Sequence, residues 1–260
     1  MSNVIEPVAA EPPPPLPPKT WGYFSTFGWA LLANVVASAL AIGILYLWNP
    51  TRFPVDLAFS DSLKDAPYVG ATTLLANIIQ VGILIAVVWL ARWKAKDYLA
   101  LIWPARREVA IGLMAFVVLL PVIDGLAYLF GKPIIPPFII DIYRNAQSTG
   151  SLPLLWLAIV VAAPVAEEII FRGFIFRGWV RSARYAVLGI LIVSAVFAII
   201  HIQYDWFGVF QVFLIGLVLT WIRWRSGSTL LPMVLHVIAN FYAMMQTVAF
   251  IHWGFESLAK

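Results

Sequence analysis

The sequence predicts an all-α protein, a polytopic bundle of about seven to eight transmembrane helices with a polar cavity inside it. The chain is 62% hydrophobic and 12% charged, with a mean hydropathy of +0.89, well outside the range of soluble domains. Its long uncharged stretches must be helices, because in hydrocarbon only a helix or a closed barrel satisfies its own backbone, and the alternation typical of barrel strands is missing. The chain contains no cysteine, so its strong metal ligands can only be His, Asp and Glu.

Seven stretches are apolar enough to be interpreted as membrane helices, for which about 20 residues are needed. They are 26–48, 72–91, 109–130, 152–171, 186–203, 207–222 and 230–251. An additional interfacial helix is compatible with residues 174–184. The prolines of residues 7–18 exclude a helix there. We therefore expect a disordered, proline-rich tail over 1–22 and one transmembrane domain over 23–260.

The basic residues sort unequally between the two sides of this topology. Twelve of the seventeen fall on the side of the N-terminus: Lys19, Arg92, Lys94, Lys96, Arg106, Arg107, Arg172, Arg177, Arg181, Arg184, Arg223 and Arg225. The other side receives Arg52, Lys64, Lys132, Arg144 and Lys260. By the positive-inside rule, the N-terminus is expected in the cytoplasm and the C-terminus outside. Because the basic residues separate apolar runs, the net charge of +4 indicates membrane orientation and gives no sign of a nucleic-acid partner.

Three of the apolar segments carry ionisable or amide side chains. Glu167 and Glu168 end an uncharged run, and Arg172 follows Glu168 by four residues, a spacing that lets the two pair on one helix face. Glu167 lies about 100° around the helix and is free to point elsewhere. Further on, His201 lies four residues after Phe197. The last segment carries His236 and Asn240 at the same spacing.

Each group has a structural explanation when taken alone. The carboxylates can be neutralised by the arginines that follow, and a single histidine in a bundle is usually an interhelical contact. Together, however, these groups need partners, and the arrangement of lowest free energy lets them converge in a polar cavity. Such a set suffices for hydrolysis: a carboxylate can take a proton from water, while histidine and asparagine can stabilise an oxyanion.

The ordered motifs EEIIFR (167–172), FAIIH (197–201) and HVIAN (236–240) resemble those of the CAAX-protease and bacteriocin-processing family of intramembrane peptidases. The resemblance covers about residues 150–245 and implies a bundle of about eight helices that cleaves peptide bonds at the membrane. It implies that Glu167 is the water-activating base, with His201 as its partner. His236 and Asn240 would stabilise the tetrahedral intermediate, and Glu168 and Arg172 would hold the geometry of the site.

The resemblance leaves the cofactor open. If a divalent metal such as zinc binds, His201, His236 and Glu167 would be its ligands, although the HExxH signature is absent. The expected partners are membrane lipid and a membrane-associated peptide or protein, CAAX-type or related. The expected location is a bacterial cytoplasmic membrane. Two other functions remain open, a non-enzymatic immunity or scaffold protein with the same fold and an ion or metal transporter.

The remaining polar residues within the spans have a structural interpretation. We expect interhelical hydrogen bonds for Asn34, Asn77, Gln80, Gln211 and Gln246. Asp124 lies near a helix centre beside Pro121, and a kink there would free backbone amides for its carboxylate. A functional role for Asp124 stays open beside this structural one, because ionisable groups inside a membrane are often functional.

The predicted spans conflict at one point. With straight, fully crossing helices, His201 would lie at the opposite side of the membrane from Glu167 and His236. Either the glutamate helix tilts and continues past residue 172, or the stretch 186–222 is short or broken around QYDWFG.

Overall fold

The computed structural model describes residues 20–55, 59–180 and 182–254, and the regular secondary structure of these ranges is entirely helical. The helices are α1 Tyr23–Trp48, α2 Phe59–Ser62, α3 Ala66–Leu90, α4 Ala95–Tyr98, α5 Arg106–Leu129, α6 Pro137–Ser148, α7 Leu152–Trp179, α8 Ala186–Ile199, α9 Trp206–Ser226 and α10 Leu230–Trp253. A 3₁₀ turn, Ala183–Tyr185, precedes α8. The predicted tail, except for its last three residues, lies outside the described ranges. The prediction of a polytopic helical bundle is confirmed.

Six of the described helices are long and apolar enough to span a membrane: α1, α3, α5, α7, α9 and α10. The seventh predicted span, 186–203, is wrong in length, because α8 has only 14 residues and ends at Ile199. At about 1.5 Å per residue, it covers roughly 21 Å of a hydrocarbon core about 30 Å thick. The chain then turns through residues 200–205 before α9 begins at Trp206. This break lies at the QYDWFG segment. It is one of the two alternatives stated above for bringing His201 to the same side of the membrane as Glu167 and His236.

The other alternative is also realised, because α7 continues through Arg172 as far as Trp179. The predicted end at 171 and the interfacial helix over 174–184 are therefore wrong. Two stretches of π-helix, Leu157–Ala162 and Ile169–Ile175, interrupt its α-helical geometry. Such π-helical turns leave main-chain carbonyls free for partners outside the helix, and they are frequent at functional sites.

The loops meet in two groups, one at each end of the bundle. At one end, Trp179 Nε1 donates to the Tyr23 carbonyl at 3.0 Å, and Arg225 Nε lies 2.8 Å from Glu108 Oε2. At the other end, Arg52 pairs with Asp65 at 2.6 Å, and the amphipathic helix α6 covers the start of α7. We call the first group the basic end. It holds most of the described basic residues that were assigned to the N-terminal side, whereas Arg172 is buried inside α7.

Helix α7 is the central element of the fold. In its most hydrophobic stretch, 50% of the residues are buried inside the bundle, against 17% for the peripheral α5. Helices α1 and α3 pack together through a stripe of small residues on α1, namely Ala30, Ala33, Ala37 and Ala41, which lets the two backbones approach closely. On the other side, α5 packs on α9 and α10. A cavity lies between these two groups of helices.

Candidate active site

The cavity has a volume of about 660 Å³ and is lined by four of the six predicted site residues, Glu167, His201, His236 and Asn240. They come from α7, from the turn after α8 and from α10. The early end of α8 brings His201 to this cavity, and the extension of α7 places Glu167 near the middle of its helix. The structure therefore brings these four together, as the sequence predicted. Glu168 and Arg172 are fully buried and are not among its lining residues.

Glu168 and Arg172 form the ion pair that their spacing predicted, with Arg172 Nη1 2.7 Å from Glu168 Oε1. The guanidinium also donates to the Gly216 carbonyl at 3.2 Å and to Thr220 Oγ1 at 3.3 Å, and it lies over the Phe197 ring at 4.4 Å. An ion pair that is fully buried needs several further partners, because removing two charges from water is costly. Glu168 Oε2 has no hydrogen-bond partner among the described residues. The pair therefore ties α7 to α9 behind the cavity.

The same carboxylate orients His236. Glu168 Oε1 lies 2.9 Å from His236 Nδ1, and a carboxylate already paired with an arginine can only accept. Nδ1 is thus the protonated nitrogen of the neutral ring. Nε2 then points toward Glu167, 3.7 Å from its Oε2, a distance beyond a direct hydrogen bond. This carboxylate–histidine contact sets the tautomer of the His236 ring.

His201 is oriented by its own helix. Its Nδ1 lies 2.7 Å from the carbonyl of Phe197, which can only accept, so Nε2 carries the lone pair of the neutral ring. One face of the ring stacks on Tyr204, with the planes 10° apart. Burial and, to a lesser degree, the negative charge of Glu167 raise the pKa of Tyr204 to about 12, which keeps its hydroxyl neutral. Among the described residues His201 makes no direct contact with Glu167, so its role as a partner stays a prediction.

Asn240 is held by a carbonyl that α7 leaves free. Its Nδ2 donates to the Ile159 carbonyl at 2.8 Å. In the first π-helical stretch Ala163 N bonds to Ala158 O, and the next residue, Pro164, has no N–H to offer. One amide proton of Asn240 is thereby used. Only the second can reach a group in the cavity.

The conditional metal site does not fit this geometry. Among the described residues, no group of three or more His, Asp and Glu side chains lies close enough to hold a metal ion. Both histidines keep Nε2 available, because Nδ1 of each is bonded to a protein acceptor, but of the two only His236 has an ion-pair contact with Glu167, at 3.7 Å. The set His201, His236 and Glu167 is therefore not a preformed three-ligand site.

Comparison with known proteins identifies a family that the same part of the chain resembles. A model of the family "Type II CAAX prenyl endopeptidase Rce1-like" matches residues 149–242. That range contains all three motifs, from Glu167 to Asn240. We call residues 149–242 the Rce1-like segment, after the family that they resemble. The family resemblance predicted from the motifs is confirmed.

Two curated proteins are similar to part of the chain. The "Uncharacterized 24.3 kDa protein" of Escherichia coli is 36% identical over 120 residues, which is 44% of this chain and 54% of that protein. The "UPF0177 protein YxdF" of Lactococcus lactis is 25% identical over 95 residues, 36% of this chain and 51% of that protein. The chain spans about half the length of these relatives. No solved structure matches it.

Three features of the site were not predicted from the sequence. Tyr204 lies in the segment recognised only as irregular, and the cradle of Gly216 and Thr220 around Arg172 had no recognisable spacing. The Ile159 carbonyl is a main-chain group, and only the proline five residues later signals that it is free.

The prediction for Asp124 was wrong in its partners. Its Oδ2 accepts from Tyr242 and Gln246 of α10, and α5 continues through Pro121.

Proposed function

We propose that the chain is an intramembrane endopeptidase that hydrolyses peptide bonds of membrane-associated substrates, CAAX-type or related. The observation that carries this proposal is the convergence of Glu167, His201, His236 and Asn240 on one cavity within the apolar bundle. The match of residues 149–242 to a family of CAAX prenyl endopeptidases supports it.

The proposed reaction begins with a water between Glu167 and His201. The Glu167 carboxylate takes one proton, and the lone pair of His201 Nε2 accepts a hydrogen bond from the other O–H. The resulting hydroxide attacks the scissile carbonyl, whose oxygen becomes negatively charged. The tetrahedral intermediate then collapses with cleavage of the C–N bond, and the proton on Glu167 passes to the leaving amine. Each step uses a group that lines the cavity.

The negative oxygen requires donors, which the opposite side of the site can provide. His236 donates through Nε2 when its ring is doubly protonated, with Nδ1 still donating to Glu168 Oε1. Asn240 contributes its second amide proton. Glu168 and Arg172 act as positioning residues, since their contacts set the orientation of His236 without reaching the cavity.

The decisive test is cleavage of membrane-associated peptides, including a prenylated CAAX peptide, by detergent-purified wild type and Glu167→Gln. We expect Glu167→Gln to lower kcat by at least about a hundredfold, since a positioned general base contributes about 10²–10⁴ in rate. Asp141→Asn, which removes an exposed carboxylate of α6, is the matched control and should leave kcat unchanged. Equal activity of wild type and Glu167→Gln would contradict the proposed role. Absence of cleavage by folded wild type across the panel would favour the immunity or scaffold function.

A second arm addresses the metal. Because the donor set forms no preformed site, we expect a strong chelator to leave the rate of wild type unchanged. Loss of activity with the chelator and its recovery with added zinc would instead indicate a metal-bound water.

The proposed location is a bacterial cytoplasmic membrane, with the N-terminus and the basic end in the cytoplasm. The unequal distribution of Lys and Arg between the two ends supports this orientation.

A further inference from the structure

Four amide side chains of the cavity wall have no hydrogen-bond partner among the described residues. Asn77 and Gln80 come from α3, Gln211 comes from α9, and Asn34 of α1 lies at the exposed rim. Gln80 is only 5% exposed, and Asn77 Nδ2 is buried without a partner. These four, which we call the cavity amides, line the same cavity as Glu167 and His201. The interhelical bonds predicted for them are therefore not made.

The fifth predicted amide shows that the fold can satisfy such a group. Gln246 Nε2 donates to Asp124 Oδ2 at 2.8 Å and so joins α10 to α5. Burying an amide without a partner is costly, and in membrane bundles such groups normally bond across helices. The cavity amides instead remain available to whatever enters the cavity. Their partner must carry both donors and acceptors, because each amide offers an N–H₂ and a C=O.

An extended peptide main chain has this chemistry. A peptide bond can be attacked only when it is accessible, which requires a local departure from helical structure. In a membrane that departure leaves N–H and C=O groups unpaired, at a cost of several kcal/mol each. A wall of amides can replace the lost bonds with matching donor and acceptor pairs. An acyl or prenyl chain carries no hydrogen-bonding group and would leave the amides unsatisfied.

We propose that Asn77, Gln80 and Gln211, with Asn34 at the rim, form a subsite that binds the main chain of an extended substrate segment beside the scissile bond. This inference rests on the proposed peptidase function and deepens it, since it assigns substrate recognition to helices outside the Rce1-like segment as well as within it. The subsite recognises the main chain of the substrate. Its contribution should therefore depend little on the side chains of the substrate.

The test measures binding separately from cleavage. Fluorescent versions of the membrane-associated peptides are titrated into the detergent-purified Glu167→Gln protein, and Kd is obtained from anisotropy. Gln80→Leu combined with Gln211→Leu should raise Kd about fivefold to thirtyfold, because two hydrogen bonds of ordinary net strength are lost. Gln147→Leu makes the same change at an exposed position of α6 that does not line the cavity, and it should leave Kd unchanged. Unfolding midpoints establish that each variant is folded.

A second measurement compares the Glu167→Gln protein with and without the Gln80→Leu and Gln211→Leu substitutions. Peptides in which one backbone N–H beside the cleavage position is replaced by an ester oxygen should bind the Glu167→Gln protein about fivefold more weakly. That loss should largely disappear in the protein that also carries Gln80→Leu and Gln211→Leu, since the partner is already gone. Equal losses in both backgrounds, an unchanged Kd in the glutamine variants, or no binding by any peptide would each overturn the subsite.

The two proposals can fail separately. Peptide binding that depends on the cavity amides, without cleavage by wild type, would contradict the peptidase and leave the subsite standing. Cleavage by wild type with no effect of the cavity amides on Kd or KM would support the peptidase and overturn the subsite.

Discussion

At the scale of single residues, the two adjacent glutamates have different surroundings. Glu167 is partly exposed to the cavity, with 23% of its side chain accessible, whereas Glu168 is fully buried between Arg172 and His236. A rotation of about 100° between neighbouring helix positions separates them. One carboxylate is therefore free to handle a proton in the proposed reaction, and the other is committed to holding a histidine.

The buried pair leads to a prediction about stability. Arg172→Met should lower the free energy of unfolding by about 3–5 kcal/mol, because it leaves the Glu168 carboxylate buried without its countercharge. The double variant Glu168→Gln, Arg172→Met should recover much of that loss, since no uncompensated charge remains. Thermal unfolding in detergent, followed by tryptophan fluorescence, measures both. A double variant no more stable than Arg172→Met would show that the charge is not the cause.

At the scale of elements, helix α7 depends on close approach to its neighbours. At Gly178 near its end, a Cβ atom would overlap the Thr26 side chain of α1. Gly28 on α1 has nothing within 4 Å of the corresponding position. Gly178 therefore permits the close contact between α1 and α7, whereas Gly28 takes part in no such contact.

These glycines give a matched pair of substitutions. Gly178→Ala should destabilise the protein by about 1–3 kcal/mol, because α1 and α7 must separate to admit the methyl group. Gly28→Ala should leave stability unchanged or raise it slightly, since alanine favours a helix over glycine. Unfolding midpoints in the same detergent compare them. Equal effects of the two substitutions would contradict the contact between Gly178 and Thr26.

At the scale of the whole molecule, the proposed orientation follows from the two ends of the bundle. Residues near the basic end, such as Ala105 before α5, should face the cytoplasm. Ser148 at the end of α6 should face the other side, because α6 covers the opposite end of the bundle. Both positions are exposed. The chain contains no native cysteine, so a single introduced cysteine reports its own location.

We predict that a membrane-impermeant maleimide labels Ser148→Cys in intact cells and labels Ala105→Cys only after permeabilisation. The physical basis is the excess of Lys and Arg at the basic end, which favours retention in the cytoplasm. Labelling after permeabilisation is the control for reactivity at each site. The reverse pattern would invert the proposed topology.

The sequence alone determined the helical class and six of the long spans to within a few residues at most ends, and it named four residues that line one cavity, Glu167, His201, His236 and Asn240. Those predictions rest on local or additive properties: apolar length, the i to i+4 spacing of Glu168 and Arg172, and the order of three motifs. The largest boundary error was at the C-terminal end of α7, predicted at 171 and found at Trp179. A charged residue ordinarily indicates that a membrane span has ended. Arg172 does not end α7, because it is paired with Glu168 inside the bundle.

Only the tertiary structure decided how the site is assembled. The shortness of α8, the π-helical stretches of α7 and the bond from Asn240 to the Ile159 carbonyl depend on neighbouring helices that hydropathy does not describe. The same holds for the cavity amides. Their residue type predicted hydrogen bonds between helices, yet whether an amide meets another helix or a cavity depends on how α1, α3 and α9 pack. Local spacing fixes which face of a helix a side chain occupies, and packing alone determines what that face meets.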